Sequence, residues 1–214
     1  KIEKKRGSYI ARNAGIKSAS GDIIAFTDAD CIVAPNWISM IENGFRTCPK
    51  ADALLGNSLG KVINDISQAV QYCYERVMKE EVLNADGTCK RIDTRNCAVK
   101  RKVFENVGLF NESLLYWGDE ELGKRLVEYG GMIRYLPDMI VEHENPSTVD
   151  EWVNKKIKEG YWAYKQLKKN GRHYTRKYFP KVLFFHVSIK NVELSLRDKE
   201  DELKEDLINI EKIR

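Results

Sequence analysis

One short stretch constrains the fold of this chain more than any other, because an apolar strand pattern ends abruptly in two carboxylates. Residues 23–27 are β-branched, small or aromatic, as in a buried strand, and Gly21 and Asp22 supply a turn before them. Asp28 and Asp30 follow this strand. Because side chains alternate along an extended chain, the two carboxylates are predicted to point the same way. Two ionised carboxylates held together repel each other unless a cation lies between them. The pattern therefore predicts a site for Mg²⁺ or Mn²⁺, which prefer oxygen ligands and are completed by substrate phosphates.

An isolated Asp-x-Asp triplet is more often a polar turn that ends a strand, so the neighbouring sequence decides between the two interpretations. Residues 12–16 read Arg-Asn-Ala-Gly-Ile within a predicted helix over 8–18, and residues 35–38 read Pro-Asn-Trp-Ile at the start of another helix. Over residues 7–38 the sequence resembles the donor-binding half of a family 2 glycosyltransferase with the GT-A fold. The resemblance covers about thirty consecutive positions and is therefore more specific than the triplet alone.

The resemblance implies a fold and a domain organisation. It implies an α/β protein with a GT-A layered sheet flanked by helices, which agrees with the interleaved strand and helix patterns along the chain. A GT-A core is expected over residues 1–170, lacking its first βαβ unit, and a helical C-terminal extension is expected over residues 171–214. In an open α/β fold of this kind, ligands are expected at the carboxyl ends of the strands.

A second acidic segment follows an aromatic residue in the middle of the chain. Asp119, Glu120 and Glu121 open a predicted helix, where carboxylates interact favourably with the helix dipole, so a purely structural role remains open. The segment also resembles the family's acidic acceptor-site motif and places Asp119 at the catalytic base. The family's usual glutamate before the base is Gly118 here, which leaves Glu120 as a competitor for that role. Trp117 and Gly118 are expected on the acceptor side, since an aromatic ring beside a carboxylate suits sugar binding.

Three further residues are candidates for donor binding. His143 ends a predicted strand, and the resemblance implies that it is a further ligand of the metal or the diphosphate, although a lone histidine there is more often structural. Arg12 is expected to pair with the diphosphate, because guanidinium geometry suits phosphate oxygens, or to lie on a helix surface. Asn96 is expected to bind hydroxyls of the donor sugar or to serve in a turn.

Composition and charge narrow the cellular setting. A net charge of +4 is too small to imply nucleic-acid binding. Five cysteines without a Cys-x-x-Cys pair indicate neither a zinc site nor a disulfide framework, which favours a reducing, cytoplasmic location. The apolar run at 182–187 is too short to span a bilayer. A charged helix predicted from about residue 190 to 214 is expected to pack on the domain or on a partner, or to lie at the inner face of the membrane.

The remaining pattern predicts the elements between these motifs. Residues 66–83 show helical periodicity. Two short strands are predicted over 133–136 and 139–143, on either side of a turn at Pro137 and Asp138. A long helix is predicted from Ser147 or Thr148 to residue 169, with a break at Asn170 and Gly171.

Three hypotheses for function follow from the sequence. The first is a metal-dependent, inverting glycosyltransferase that moves a sugar from a nucleotide-diphosphate donor to a hydroxyl of a glycan, lipid-linked or other acceptor, in cell-surface glycan or polysaccharide synthesis. The second is an enzyme of the nucleotide-sugar pyrophosphorylase type. The third is a non-catalytic remnant of a GT-A domain that binds sugars or a partner.

Overall fold

Helices alternate with strands along the chain. The computed structural model describes residues 7–114 and 116–178. Its elements in order are α1 (Ser8–Ser18), β1 (Ile23–Thr27), β2 (Cys31–Val33), α2 (Trp37–Thr47), β3 (Ala53–Lys61), α3 (Asp65–Val77) with a π-helical turn (Met78–Val82), β4 (Asn96–Lys100), α4 (Arg101–Val107), α5 (Gly118–Glu128), β5 (Ile133–Glu144) and α6 (Val149–Tyr178).

The five strands form one mixed sheet in the order β1-β4-β3-β5-β2. β4 is antiparallel to β1 and to β3, and β5 is parallel to β3, so β1, β3 and β5 run in the same direction. Helix α2 packs on part of the sheet, and buried side chains of the helix and of the strands form one hydrophobic core. The main members of this core are Trp37, Ile41, Phe45, Leu54, Met139 and Val141. The predicted α/β class with a helix-flanked sheet is confirmed.

Strand β5 is continuous, so the prediction of two short strands separated by a turn is wrong. The segment at Pro137 and Asp138 forms a bulge within β5, where the register with β3 shifts between Gly56 and Asn57. Before the shift Gly56 pairs with Leu136, and after it Asn57 pairs with Ile140. A proline lacks a backbone donor, and a bulge accommodates it without ending the strand.

The short connection that carries the aspartate pair requires the sheet to curve. Strand β2 follows β1 after four positions, which span at most about 14 Å. In a flat sheet, the four strand spacings between β1 and β2 would amount to about 19 Å. The sheet is therefore curved between β1 and β2, and β3 and β5, with their register shift, lie between these two strands. Strand β2 is three residues long, too short for the sequence pattern to predict.

Helix α6 extends beyond its predicted end. It runs from Val149 to Tyr178, so the predicted break at Asn170 and Gly171 is wrong. The first compact unit ends at Lys156, within α6, and the domain boundary at residue 170 stays a prediction. The helix predicted over residues 190–214 lies outside the described residues. Among the helices of residues 7–178, none has both the length and the apolar character that a membrane span requires.

Candidate active site

The first aspartate of the pair forms an ion pair with helix α1. Asp28 follows β1, and its Oδ1 lies 2.7 Å from Nη2 of Arg12. Both side chains are partly buried, with exposed fractions of 21% for Arg12 and 34% for Asp28, so the pair is more than a solvated surface contact. The structure places the Arg12 guanidinium beside the Asp28 carboxylate. Its binding to the diphosphate stays a prediction.

The second aspartate lies beside His143. Oδ2 of Asp30 is 3.6 Å from Nε2 of His143, and the Asp30 side chain is 65% exposed whereas that of His143 is 11% exposed. Pairing of Cys31 with His143 across β2 and β5 produces this proximity. The two side chains line an open groove of about 190 Å³. The other residues of the groove are Ile32, Leu59, Gly60, Lys61, Glu142 and Glu144.

The chemistry of His143 and Asp30 suits a divalent ion. Burial, helped by the positive charge of Arg95, lowers the pKa of His143, so the imidazole is neutral near pH 7 and has a lone pair to donate. Among the described residues, no cluster of three or more His, Cys, Asp or Glu side chains is arranged to hold a metal. A carboxylate and an imidazole are both ligand types that a divalent ion accepts, together with water and substrate phosphates.

Asp119 lies at the amino end of α5 and is held by backbone amides. Its Oδ1 accepts a hydrogen bond from the amide of Glu120 at 3.0 Å, and its Oδ2 accepts one from the amide of Thr94 at 3.3 Å. Burial, followed by the negative charge of Asp93, raises the pKa of Asp119 to about 6. Although burial disfavours its charge, Asp93 itself has a lowered pKa because the Arg95 guanidinium binds it. The environment thus makes Asp119 a stronger base than an ordinary aspartate.

The structure brings the two acidic motifs to the same region. Besides its ion pair with Asp28, Arg12 is close enough to Asp119 to lower the pKa of that carboxyl against the effect of burial. Burial raises the pKa of the Cys97 thiol, and the charges of Asp119 and Asp28 both act on it in the same direction. Cys97 is therefore a buried thiol with little thiolate character that lies near both motifs.

The other two acids of the second motif are engaged in ion pairs. Oε2 of Glu120 lies 2.7 Å from Arg91, and its Oε1 lies 2.8 Å from Lys124. Glu121 is buried and binds Arg125 through both of its oxygens at 2.9 Å. These ion pairs engage both carboxylate oxygens of each residue, whereas the oxygens of Asp119 are held by backbone amides. This arrangement favours Asp119 over Glu120 for the base role.

Gly118 is a packing position rather than an acceptor contact. It is buried, and its amide donates a hydrogen bond to the Tyr9 hydroxyl at 2.7 Å. A Cβ at this position would lie 2.6 Å from Cζ of Tyr9, so any larger residue would displace the ring. The predicted acceptor contact at Gly118 is therefore not supported, and the missing glutamate is explained by Tyr9. Trp117 is partly exposed, and its acceptor role stays a prediction.

Asn96 is also structural, which corrects its predicted contact with the donor sugar. Its side chain is fully buried. Nδ2 donates hydrogen bonds to the carbonyl oxygens of Asn57 at 2.8 Å and Met139 at 2.7 Å, and Oδ1 accepts one from Nε1 of Trp37 at 2.8 Å. These carbonyls lie at the register shift between β3 and β5. Asn96 satisfies backbone groups that the bulge leaves unpaired, so its amide is not available to a ligand.

Sequence reasoning assigned no role of their own to Tyr9, Asp93 and Arg95. Tyr9 lies under the amino end of α5, and Asp93 and Arg95 set the electrostatics of Asp119 and His143. The glycine at position 118, where the family has an acid, was a signal that another group approaches closely. For Asp93 and Arg95 the signal was weak, because an acid and a base two residues apart are common in loops.

Comparison with known proteins decides the family. The family model described as "Glycosyltransferase like family 2" matches residues 2–161, which is most of the chain. The chain belongs to this family. The resemblance seen in the sequence is thereby confirmed.

Relatives within the glycosyltransferase-like family 2 are moderately similar. Glycosyltransferase AglE of Haloferax volcanii is 31% identical over 144 residues, which cover 66% of this chain and 45% of the relative. The pre-mycofactocin glycosyltransferase of Mycobacterium tuberculosis is 22% identical over 156 residues, which cover 71% of this chain and 33% of the relative. The chain therefore spans less than half the length of these curated relatives.

A solved structure is also similar to the chain. It is a mannosyltransferase from Pyrobaculum calidifontis in complex with GDP-Man and Mn²⁺, with a TM-score of 0.48 and 19% identity. The similarity covers 77% of this chain and 44% of that structure.

Proposed function

We propose that this protein transfers a sugar from a nucleotide-diphosphate donor to a hydroxyl acceptor with inversion, and that Asp119 is the general base. The observation that carries the proposal is the environment of Asp119. Its carboxylate is oriented by two amides, and its pKa is raised to about 6. Arg12, which forms the ion pair with Asp28, also lies near Asp119. A base with a pKa just below neutrality is ionised at pH 7 and still accepts a proton readily.

The proposed step uses the charge of Asp119 directly. The carboxylate removes the proton of the acceptor hydroxyl while the hydroxyl oxygen forms a bond to the anomeric carbon. The bond from that carbon to the diphosphate oxygen breaks at the same time, and its electron pair leaves with the nucleoside diphosphate. Attack opposite to the leaving group requires the base and the diphosphate site to lie on opposite sides of the sugar. Asp119 at α5 and Asp30 at β2 come from separate segments that can flank a sugar in this way.

The donor side of the proposed site consists of Arg12, Asp28, Asp30 and His143. Asp30 and His143 would hold a Mn²⁺ or Mg²⁺ ion, with Asp28 as a further ligand, and such an ion would stabilise negative charge on the leaving diphosphate. Arg12 already neutralises Asp28 and has donors to spare for phosphate oxygens. The neutral imidazole of His143 provides a ligand without a proton to remove.

The setting of the reaction is part of the proposal. The acceptor is proposed to be a glycan, a lipid-linked saccharide or another hydroxyl compound used in cell-surface glycan or polysaccharide synthesis. A cytoplasmic location, with peripheral association at the inner face of the membrane, matches the sequence prediction. Residues 1–170 are proposed to form the catalytic core, and residues 171–214 a helical extension.

Transfer assays test the proposal. The full-length protein is incubated with a panel of UDP- and GDP-sugars, Mn²⁺ and hydroxyl acceptors, and release of nucleoside diphosphate and glycosylated product is measured. Asp119→Asn is expected to reduce turnover by about 10²- to 10⁴-fold while donor affinity, measured by calorimetry, is retained. Glu105→Gln, a change of an exposed carboxylate on α4, is the matched control and should leave turnover unchanged.

Other outcomes would identify the alternatives. Release of pyrophosphate from a sugar phosphate and a nucleoside triphosphate would favour a pyrophosphorylase. Binding to glycans without donor or metal, unaffected by a chelator, would favour a non-catalytic remnant. Full activity of Asp119→Asn would contradict the proposed base.

A further inference from the structure

The helix that carries Asp119 begins without a cap from its own sequence. Trp117 is the N-cap residue of α5 and makes no side-chain capping hydrogen bond. Its φ of 57° is left-handed, and within the described chain it is the single residue other than glycine with positive φ. Such a conformation costs free energy in a bulky residue and persists only where the surroundings enforce it. Within the first turn of α5, the Glu120 amide is bound by Oδ1 of Asp119, whereas the Gly118 amide needs a partner from outside the helix.

Tyr9 of α1 supplies that partner. Its hydroxyl oxygen accepts the hydrogen bond from the Gly118 amide at 2.7 Å, although the two residues are 109 positions apart. Burial, reinforced by the charge of Asp119, raises the pKa of Tyr9 far above its ordinary value, so the hydroxyl stays neutral. A neutral oxygen can accept from an amide without placing a second negative charge beside Asp119.

The Tyr9 ring has little freedom to move away from α5. It stacks on Phe110 with a centroid distance of 5.5 Å and an angle of 19° between the rings. Asn13, one turn further along α1, holds Phe110 by exchanging hydrogen bonds with its backbone at 2.9 and 3.0 Å. On the other side, Gly118 packs so closely that a Cβ would overlap the ring. The hydroxyl is thus fixed by neighbours on both sides.

We propose that Tyr9 is a positioning residue that caps α5 from outside the helix and thereby sets the direction of the Asp119 carboxylate. This inference rests on the proposed role of Asp119 in sugar transfer. Asp119 directly follows Gly118, so a shift of the Gly118 amide moves the base. Misplacement of a catalytic group by about 1 Å can reduce the rate about 10²-fold. Helix α1 also carries Arg12, whose Cζ lies 5.4 Å from the centroid of the Tyr9 ring. Helix α1 therefore supports both the donor side and the base.

A role in core packing alone makes a different prediction. Tyr9 is buried and its ring contacts Phe110, so a packing role would depend on the ring and not on the hydroxyl. Tyr9→Phe retains the ring and removes only the oxygen. This substitution therefore separates the two roles.

Kinetics and hydrogen exchange of Tyr9→Phe in the full-length protein test the proposal. We expect kcat to fall by about 10- to 100-fold with the donor KM changed by less than about twofold, because the base is displaced while the donor side is intact. The Gly118 amide should exchange faster with solvent by NMR or mass spectrometry. Tyr129→Phe, the same change at an exposed tyrosine at the other end of α5, should alter neither measurement.

A second variant approaches the same contact from the helix. Gly118→Ala places a methyl group against the Tyr9 ring and should reproduce the loss of kcat. In a Tyr9→Ala background the added methyl group has room, so Gly118→Ala should then cost less than about twofold, which is non-additive behaviour typical of residues in contact. Additive effects of the two substitutions would overturn the proposal.

The results distinguish this inference from the proposed function. If the unsubstituted protein transfers sugar and Tyr9→Phe has its full kcat, the positioning role is wrong while the function stands. If the unsubstituted protein transfers no sugar from any donor, the proposed function fails. In that case hydrogen exchange decides the capping role alone, and an unchanged Gly118 exchange rate in Tyr9→Phe overturns it.

Discussion

The two sides of the candidate site differ in how complete they are. On the donor side, Asp30 is 65% exposed and lies beside His143 in the lining of an open groove. On the base side, Asp119 is held by two amides, and the start of its helix packs tightly against Tyr9. The proposed base is therefore preorganised by the fold, as electrostatic catalysis requires. On the donor side, Asp30 and His143 are proposed as ligands of an ion whose other ligands come from water and the substrate.

After Asp119→Asn, the largest predicted effect concerns the open donor side. Asp30→Asn should reduce transfer by about 10²- to 10³-fold and weaken donor binding. The substitution removes a ligand of the proposed metal ion, and that ion would stabilise the negative charge on the leaving diphosphate. Steady-state kinetics at several Mn²⁺ concentrations and calorimetry of donor binding measure both effects. Glu142→Gln, which neutralises another carboxylate of the same groove, is the control and should have a small effect. Transfer that resists both a chelator and Asp30→Asn would show that the donor side works without a metal.

The pH dependence tests the enclosed side. Asp119 must be ionised to accept a proton, and its pKa is about 6, so transfer should fall about tenfold per pH unit below 6 and level off above it. Asp93→Asn removes a negative neighbour that raises this pKa, so the acid limb should move to lower pH. Glu105→Gln should leave the limb in place. A pH profile of kcat/KM that is flat from 4.5 to 7 would contradict Asp119 as the base, since its protonation would then have no effect.

The smallest predicted effect separates Asp119 from its neighbour in sequence. Glu120→Gln removes a partner of Arg91 and Lys124 but no proton acceptor of the reaction, and partly exposed ion pairs contribute little. Transfer should therefore fall by less than about fivefold. A comparison of kcat for this variant with that of Asp119→Asn under the same conditions is decisive. A loss as large as that of Asp119→Asn would assign the base to Glu120.

Local sequence patterns were sufficient for the elements that carry the site. The bounds of α1 and β1 were predicted to the residue, because helical spacing in the first and an apolar run in the second are local signals. The position of Asp119 at a helix start was also readable, since consecutive acids are typical of a first turn. The family was recognisable for the same reason, as its motifs are contiguous.

Roles that depend on distant neighbours were not predictable. Asn96 was expected to bind sugar hydroxyls or to serve in a turn, but its amide is bound by Trp37, Asn57 and Met139, which lie about 40 to 60 positions away in sequence. Strand β5 likewise continues through Pro137 because it pairs with β3 on both sides of the register shift. Helix α6 passes through Asn170 and Gly171 although both residues have low helix propensity, and the residues around them favour a helix.

Redesign of donor preference should leave Asn96 untouched and vary the groove walls instead. The amide of Asn96 holds the carbonyl groups of Asn57 and Met139 at the register shift between β3 and β5, and His143 lies further along β5, where β2 pairs with it. One buried side chain thus braces the strand that carries His143. Leu59 and Glu142 line the groove beyond the register shift, so changes there can reshape the cavity while the scaffold keeps its geometry.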